Sequence, residues 1–202
     1  MAHDLLAPWA EIVPDAPYPM TAADLARLPE DGWNYELVQG RLVRMPPAAG
    51  GHGSIAQDLG MALRAFVKPR KLGEVLAAET GFRLAGLGDP EKNVYAPDVA
   101  FVRADRVPAR NTPAWDDFWP LAPDLAAEVV SKSQFKADMA KKAQEWLTAG
   151  VRLVWVIWPK RREVDVWLPE QDHPAQTLKV GDALDGRDGV PGFTYPLADL
   201  FA

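Results

Sequence analysis

Cysteine is absent from the 202-residue sequence, and histidine occurs only three times. The lack of cysteine excludes a disulfide scaffold, a thiolate metal site and a cysteine nucleophile. No two histidines have the spacing of a helical zinc site, and no G-x-S-x-G nucleophile elbow is present. The glycine-rich segment around His52 lacks the Lys-Ser/Thr pair of a Walker loop. These absences leave zinc hydrolases, serine triads and P-loop enzymes without support.

Basic residues are in the minority, because 22 Lys and Arg stand against 28 Asp and Glu, which gives a formal net charge of −6. A protein that binds nucleic acid mainly through charge carries a basic surface, so a nucleic-acid role here needs a local patch or a metal ion. No apolar run approaches the roughly 18–20 residues of a membrane span. The N-terminus lacks the basic and apolar regions of a secretory signal. We therefore expect a soluble cytoplasmic protein with no membrane partner.

The length is that of one domain, since domains commonly contain roughly 100–200 residues. Residues 1–20 include four prolines and show little periodicity, which predicts an extended Pro-rich arm. A single domain is predicted over residues 21–202. The arm could lie on this domain or on another subunit.

Hydrophobic periodicity predicts an α/β fold, in which helices pack on an α+β mixed sheet. A capping box at Thr21 opens a short helix, and a second helix begins at Ser54 and stops before Pro69. A third helix is predicted over residues 134–149. Strands are predicted over residues 35–45 as a hairpin, 73–84 as a pair, 93–102, 125–130, 151–158 and 163–168. We expect all of these strands in one sheet, with a packed tail over residues 193–201.

Two carboxylates interrupt apolar strand segments, and they are Asp98 and Glu128. Strand alternation places each of them on a face with small residues, which leaves space in front of the carboxylate. A buried carboxylate is costly unless it is paired, hydrogen-bonded or bound to a cation, so two of them indicate a shared partner. Each also has a structural alternative. Asp98 could be a hydrogen-bond acceptor that holds a turn, and Glu128 could form a buried Glu–Lys pair.

A lysine falls on the apolar stripe of the third predicted helix. The residues of this stripe are Phe135, Met139, Ala143 and Trp146. Lys142 lies three residues after Met139 and four before Trp146, so it points to the same interior as the stripe. Two carboxylates and an ammonium group suit a Mg²⁺-dependent phosphodiesterase, in which the lysine orients the nucleophile or stabilises developing charge. Alternatively, Lys142 extends past the stripe to solvent or pairs with Asp138.

Two further polar residues are candidates for the same site. Glu36 lies on the first predicted hairpin, where it is either an additional carboxylate of the site or a solvent-facing strand residue. His52 lies in a glycine-rich turn before the second helix, where it either takes part in the site or is an exposed loop histidine.

Taken in order, these segments resemble the Uma-type restriction endonucleases of the PD-(D/E)XK nuclease superfamily. The matching motifs are Tyr35-Glu-Leu-Val-Gln-Gly-Arg-Leu-Val, His52, Ala96-Pro-Asp-Val-Ala-Phe-Val, Pro123-Asp-Leu-Ala-Ala-Glu-Val-Val-Ser, Asp138, Lys142 and Gly150-Val followed by Val154-Trp-Val-Ile. The resemblance extends over about residues 21–168, and the closing segment 196–201 is similar as well.

The resemblance implies a restriction-endonuclease-like core, with a mixed sheet flanked by helices and a site at the strand ends. It also implies that Asp98 and Glu128 are ligands of Mg²⁺ or Mn²⁺, with the carbonyl of Val129 as a further ligand. In most of the superfamily the lysine follows that glutamate by two residues, a position that Val130 occupies here. The Uma-type pattern places the lysine on the following helix instead, and Lys142 matches it.

The leading hypothesis is therefore a metal-dependent endonuclease that hydrolyses nucleic-acid phosphodiester bonds, with DNA as the expected partner, by attack of water. Glu36, which is similar to a strand glutamate of the family, and His52 would assist. Positive charge for the nucleic-acid backbone would have to be local. The candidate residues are Lys132, Lys136, Lys141 and Lys142 near the site, and Lys160-Arg161-Arg162 on the last hairpin turn.

A second hypothesis is a catalytically inactive nuclease-fold protein that acts as a dimeric binding or regulatory module. Asp98 and Glu128 would then simply pair with Lys142. A third is a small-molecule pocket lined by some of the eight tryptophans. We also expect a homodimer, because the Pro-rich arm and the aromatic loop of Trp115 and Trp119 offer interface surface.

Overall fold

The computed structural model describes residues 10–132 and 134–202. Within these residues the α-helices are α1 (Ala22–Leu25), α2 (Gly50–Arg70), α3 (Pro113–Asp116), α4 (Lys136–Thr148) and α5 (Leu197–Leu200). The strands are β1 (Glu11–Ile12), β2 (Asn34–Val38), β3 (Arg41–Met45), β4 (Gly73–Ala77), β5 (Phe82–Arg83), β6 (Val94–Tyr95), β7 (Val99–Arg103), β8 (Leu125–Val129), β9 (Leu153–Trp158), β10 (Glu163–Trp167), β11 (Gln176–Lys179), β12 (Ala183–Asp185) and β13 (Thr194–Pro196). No helix in the described part of the chain is long and apolar enough to cross a membrane.

A six-stranded mixed sheet forms the centre of the fold, with the strand order β11-β10-β9-β8-β7-β4. Strands β8 and β9 are parallel, whereas the other neighbouring strands of this sheet are antiparallel. Both parallel strands are buried over their whole length, which is typical of strands covered on both faces. The prediction of a mixed α/β fold is therefore confirmed.

Helices α2 and α4 cover opposite faces of the mixed sheet. The buried residues of α2 are Leu59, Leu63 and Val67, and the apolar buried residues of α4 are Met139, Ala143 and Trp146. Successive residues of β9 belong to different cores, since Trp155 packs on the α2 side and Val154 and Val156 on the α4 side. This alternation follows from the two-residue period of a strand.

A second, five-stranded antiparallel sheet has the order β1-β3-β2-β6-β5. The prediction that all strands share one sheet is therefore wrong. The strand predicted over residues 93–102 is two strands in different sheets, because the chain passes from β6 to β7 at Ala96-Pro97-Asp98. Proline cannot donate to a strand ladder, so it favours such a break. The pair predicted over residues 73–84 is divided in the same way, with β4 in the mixed sheet and β5 in the second sheet.

Helix α2 is longer at both ends than the sequence predicts. It begins at Gly50, so His52 lies in its first turn and not in a loop before it. It also contains Pro69, which lacks an N–H but lies in the last turn, where the loss affects a single helical hydrogen bond. Lys71 ends the helix in the left-handed conformation, with φ 55°.

The N-terminal segment is described from residue 10 onward, so residues 1–9 of the predicted arm lie outside the described residues. Strand β1 pairs with β3, with Ile12 opposite Val43, and the Met20 N–H donates to the Gly40 carbonyl at 2.8 Å. These contacts attach residues 11–20 to the five-stranded sheet. Strands β11, β12 and β13 were not predicted, because they are short and mostly exposed.

Candidate active site

The five side chains that the sequence proposed for catalysis lie at one site, which draws on both large sheets and on two helices. Glu36 comes from β2, His52 from the first turn of α2, and Asp98 from the segment just before β7. Glu128 comes from β8 and Lys142 from the centre of α4. The break at residues 96–98 brings the five-stranded sheet against the end of the mixed sheet, which is why residues so distant in sequence become neighbours.

Lys142 joins two buried carboxylates. Its Nζ lies 3.2 Å from Glu36 Oε1 and 3.1 Å from Glu128 Oε1. All three residues are almost inaccessible, with exposures of 2% for Lys142, 0% for Glu36 and 5% for Glu128. Glu36 Oε1 also accepts the Ala96 N–H at 2.9 Å. The cost of burying these two carboxylates is thus offset by the lysine and, for Glu36, by a backbone N–H as well.

Asp98 lies beside this cluster and is held by the backbone of β8. Its Oδ2 accepts the Val129 N–H at 2.7 Å and lies 3.3 Å from His52 Nε2. Asp98 is thus a hydrogen-bond acceptor, as the structural alternative from the sequence analysis expected. The same contacts also fix the carboxylate next to Glu128, and its side chain retains 18% exposure.

The pKa of Glu128 is raised to about 7, chiefly because burial disfavours the charged carboxylate. The negative charges of Asp98 and Glu36 raise this pKa further, while the Lys142 ammonium and a hydrogen bond from Trp146 lower it. Three carboxylates thus surround one ammonium group, and burial together with two neighbouring negative charges opposes the ionisation of Glu128.

The two basic groups of the site are shifted toward their charged forms. Burial opposes protonation of Lys142, but the charges of Glu128, Glu36 and Asp98 outweigh it and raise the lysine pKa above its ordinary value. Burial also opposes protonation of His52, and the hydrogen bond and charge of Asp98 outweigh it, so the pKa of His52 is raised. Lys142 is therefore a fixed cation, and the charge of His52 depends on Asp98.

Two neighbours of the site were not predicted from the sequence. The Trp146 indole Nε1–H donates to Glu128 Oε1 at 2.8 Å, although the sequence pattern indicated an apolar role for Trp146. The Tyr95 hydroxyl donates to Glu145 Oε2 at 2.6 Å, and the Tyr95 and Trp146 rings pack edge to face at 5.7 Å. The sequence did offer a signal for the role of Trp146, since this tryptophan follows Lys142 by one helical turn. A buried indole N–H usually finds an acceptor.

Several expectations about neighbouring residues are wrong. Phe135 is not part of the buried stripe of α4, since it precedes the helix as its N-cap residue and is 73% exposed. Asp138 accepts the Phe135 N–H at 3.2 Å, while Lys142 reaches Glu36 and Glu128. Trp119 is 3% exposed and packs on Phe82 within the same chain, so it offers little interface surface.

A cleft of about 1890 Å³ opens onto the site. The predicted site residues that line it are Glu36, His52, Asp98, Glu128, Val129 and Lys142. Of the other basic residues proposed for a nucleic-acid backbone, Lys132 lines the cleft, whereas Lys136, Lys141 and residues 160–162 are not among the described residues that line it. The last hairpin turn is therefore not part of this cleft.

The donor set at the cleft floor fits a hard divalent cation. Asp98 Oδ1 and Glu128 Oε2 accept no hydrogen bond from the described residues, since the contacts of these carboxylates fall on Oδ2 and Oε1. Carboxylate oxygens, a backbone carbonyl and water are ligands that Mg²⁺ accepts, and this ion keeps several waters. No group of three or more His, Asp or Glu side chains in the described ranges is arranged to hold a metal by itself. A cation here would thus depend on two carboxylates together with backbone, water and substrate oxygens.

Comparison with known proteins identifies the family and the fold of this chain. Residues 22–198 match the Uma2 family, described as "Putative restriction endonuclease". The chain belongs to the Uma2 family. The fold and the resemblance predicted from the sequence are thereby confirmed, and restriction-endonuclease-like proteins generally use divalent metal ions.

The crystal structure of a putative nuclease of the DUF820 group from Anabaena variabilis has the same fold, with a TM-score of 0.73. It is 21% identical to this Uma2 chain, and the match covers 91% of this chain and 98% of the other. No curated protein matches the chain.

Proposed function

We propose that this Uma2 protein is a metal-dependent endonuclease that hydrolyses phosphodiester bonds of nucleic acid, with DNA as the expected substrate. The observation that carries the proposal is the meeting of Asp98, Glu128 and Lys142 at the floor of one open cleft. Two carboxylates that can hold a cation, next to a fixed ammonium group, form the donor set that phosphodiester hydrolysis requires.

Asp98, Glu128 and the Val129 carbonyl would hold Mg²⁺ or Mn²⁺. When bound, such a cation activates water and stabilises charge on a phosphoryl oxygen. The Val129 N–H holds Asp98 in place through its 2.7 Å hydrogen bond. The Trp146 indole holds Glu128 through a 2.8 Å hydrogen bond. The ligands are therefore positioned by the backbone of β8 and by the side chain of an α4 residue.

Lys142 would orient the attacking water and stabilise negative charge that develops on the phosphate. It suits this role because the surrounding carboxylates keep it protonated. Glu36 is a positioning residue, since it contacts both the Lys142 ammonium and the Ala96 N–H. His52, whose Nε2 lies 3.3 Å from Asp98 Oδ2, would assist by holding that carboxylate in position.

The test is nuclease activity on single-stranded and duplex DNA and RNA with Mn²⁺. We expect cleavage by the wild type and loss to background in Asp98→Ala with Glu128→Ala, and also in the conservative pair Asp98→Asn with Glu128→Gln. The control pair is Glu170→Ala with Asp188→Ala, two exposed carboxylates outside the cleft lining. Cleavage that survives in both site variants, or disappears in the control, would contradict the assignment.

The alternative is a catalytically inactive nuclease-fold protein that acts as a dimeric binding or regulatory module. One observation favours it, namely that Lys142 is already matched by two carboxylates at 3.1 and 3.2 Å, which makes the cluster a stable ion network on its own. Under this alternative, neither Mn²⁺ binding nor cleavage would depend on Asp98 and Glu128.

A further inference from the structure

The rim of the cleft carries a large exposed aromatic side chain, Trp33. It is 36% exposed and lines the same cleft as Asp98 and Glu128. It precedes β2 directly, three residues before Glu36, so the Cα atoms of the two residues are about 10 Å apart along the chain.

Trp33 is held in place by a small network of polar contacts. The backbone N–H of Trp33 donates to Asp31 Oδ1 at 3.1 Å, and the other carboxylate oxygen of Asp31 accepts the Tyr35 hydroxyl at 2.8 Å. The Arg44 guanidinium lies over the indole at 4.3 Å from the ring centroid. Glu11 in turn holds Arg44 through hydrogen bonds of 2.8 and 3.2 Å. An exposed indole fixed on one side by an arginine is a ready surface for a flat ligand.

The charge of the cleft argues against recognition of a duplex through its phosphates. Among the described residues that line it, six carboxylates stand against four Lys and Arg side chains, and Arg44 already pairs with Glu11. Affinity for duplex DNA comes largely from neutralised phosphates. Binding in this cleft must draw more on contacts to bases, and bases expose their faces for stacking only when they are unpaired.

The depth of the site also favours an unpaired strand over a duplex. Glu36, Glu128 and Lys142 are at most 5% exposed, so a phosphate that reaches them has to enter the cleft. A flexible single strand can bend toward the floor, whereas bending a duplex costs elastic energy.

We propose that the cleft takes an unpaired nucleic-acid strand and that Trp33 stacks on one of its bases. This inference rests on the proposed function, because it names the substrate class of the same site. It assigns Trp33 a binding role and leaves the chemistry to Asp98, Glu128 and Lys142.

The test is binding of a fluorescein-labelled 15-nucleotide single strand, as DNA and as RNA, and of the matching DNA duplex, measured by anisotropy in EDTA. The chain offers a matched control in Tyr18, which is 62% exposed, stacks with Arg41 at 4.5 Å, and is outside the cleft lining. We expect a single strand to bind at least about tenfold more tightly than the duplex. Trp33→Ala should weaken single-strand binding about 5- to 100-fold, Trp33→Phe should weaken it less, and Tyr18→Ala should leave it unchanged.

Equal or tighter duplex binding, an equal effect of Tyr18→Ala and Trp33→Ala, or no binding of any strand would overturn the inference. Its failure is separable from that of the proposed function. Mn²⁺-dependent duplex cleavage that requires Asp98 but not Trp33 would contradict the role of Trp33 and leave the proposed function standing. Single-strand binding that requires Trp33, without any metal-dependent cleavage, would contradict the nuclease proposal and leave the role of Trp33 standing.

Discussion

At the scale of single residues, the site is an ion network in which one buried ammonium serves several carboxylates. Lys142 lies 3.1–3.2 Å from Glu36 and Glu128, and Asp98 adds a third negative charge nearby. Each member is tolerable in the interior only because the others are present. Stability and the proposed function therefore depend on the same residues, and substitutions here should report on both.

Replacement of Lys142 by Met should be strongly destabilising, because Glu36 and Glu128 would remain buried without their cation. Removing one partner of a buried ion pair costs about 3–5 kcal/mol, which urea unfolding at pH 7 measures directly. Adding Glu36→Gln and Glu128→Gln should restore part of the loss. A change below about 1 kcal/mol for Lys142→Met would show that the network does not stabilise the fold.

Replacement of Trp146 by Phe should remove the donor to Glu128 while keeping an aromatic ring in the core. A hydrogen bond to a charged group contributes about 1.5–3 kcal/mol, so the loss in unfolding free energy should exceed that of Trp155→Phe. Trp155 is a matched control, since its buried indole N–H has no hydrogen-bond partner among the described residues. Equal losses in the two variants would mean that the Trp146 hydrogen bond contributes nothing.

At the scale of elements, the sequence predicted those whose pattern is local. The hairpin of β2 and β3, the buried strand β9 and the inward face of α4 with Lys142 all follow from periodicity within one segment. The break at Ala96-Pro97-Asp98 could not be predicted, because it depends on which sheet each half joins. The start of α2 at Gly50 was missed as well, since three glycines within four residues are typical of a turn.

The burial of Glu36 could not be predicted from a local sequence pattern either. Its strand was predicted, but its burial arises from the approach of the five-stranded sheet to α4, which no local pattern encodes. The candidate residues could therefore be named from the sequence, whereas their hydrogen bonds to Ala96, Val129 and Trp146 could not.

Helix α1 should show an acid-sensitive contribution to stability. Asp24 accepts hydrogen bonds from the backbone N–H and hydroxyl of Thr21, and these bonds lower its pKa to about 2 from an ordinary value of 3.8. A lowered folded-state pKa stabilises the fold above pH 3.8, and this contribution is lost as the pH falls toward 2. Asp24→Asn should therefore be less stable than the wild type at pH 5, and the difference should shrink near pH 2 in urea unfolding. A pH-independent difference would rule out the contribution of the carboxylate charge.

At the scale of the whole molecule, the site residues and Trp33 line one cleft. The homodimer predicted from the sequence loses one of its supports, because Trp119 is buried within its own chain. We still expect a dimer, and light scattering coupled to size-exclusion chromatography should give about twice the 22.2 kDa chain mass. A mass of one chain at micromolar concentration would contradict it.

The central claim is that Asp98 and Glu128 form a divalent-metal site, and calorimetric titration with Mn²⁺ tests it most directly. The account predicts saturable binding by the wild type and by the Glu170→Ala with Asp188→Ala control. Binding should be abolished in Asp98→Ala with Glu128→Ala, provided that thermal unfolding shows a folded variant. No binding by the wild type at millimolar Mn²⁺, or unchanged binding by the folded site variant, would contradict the claim and favour a nuclease-fold protein without nuclease chemistry.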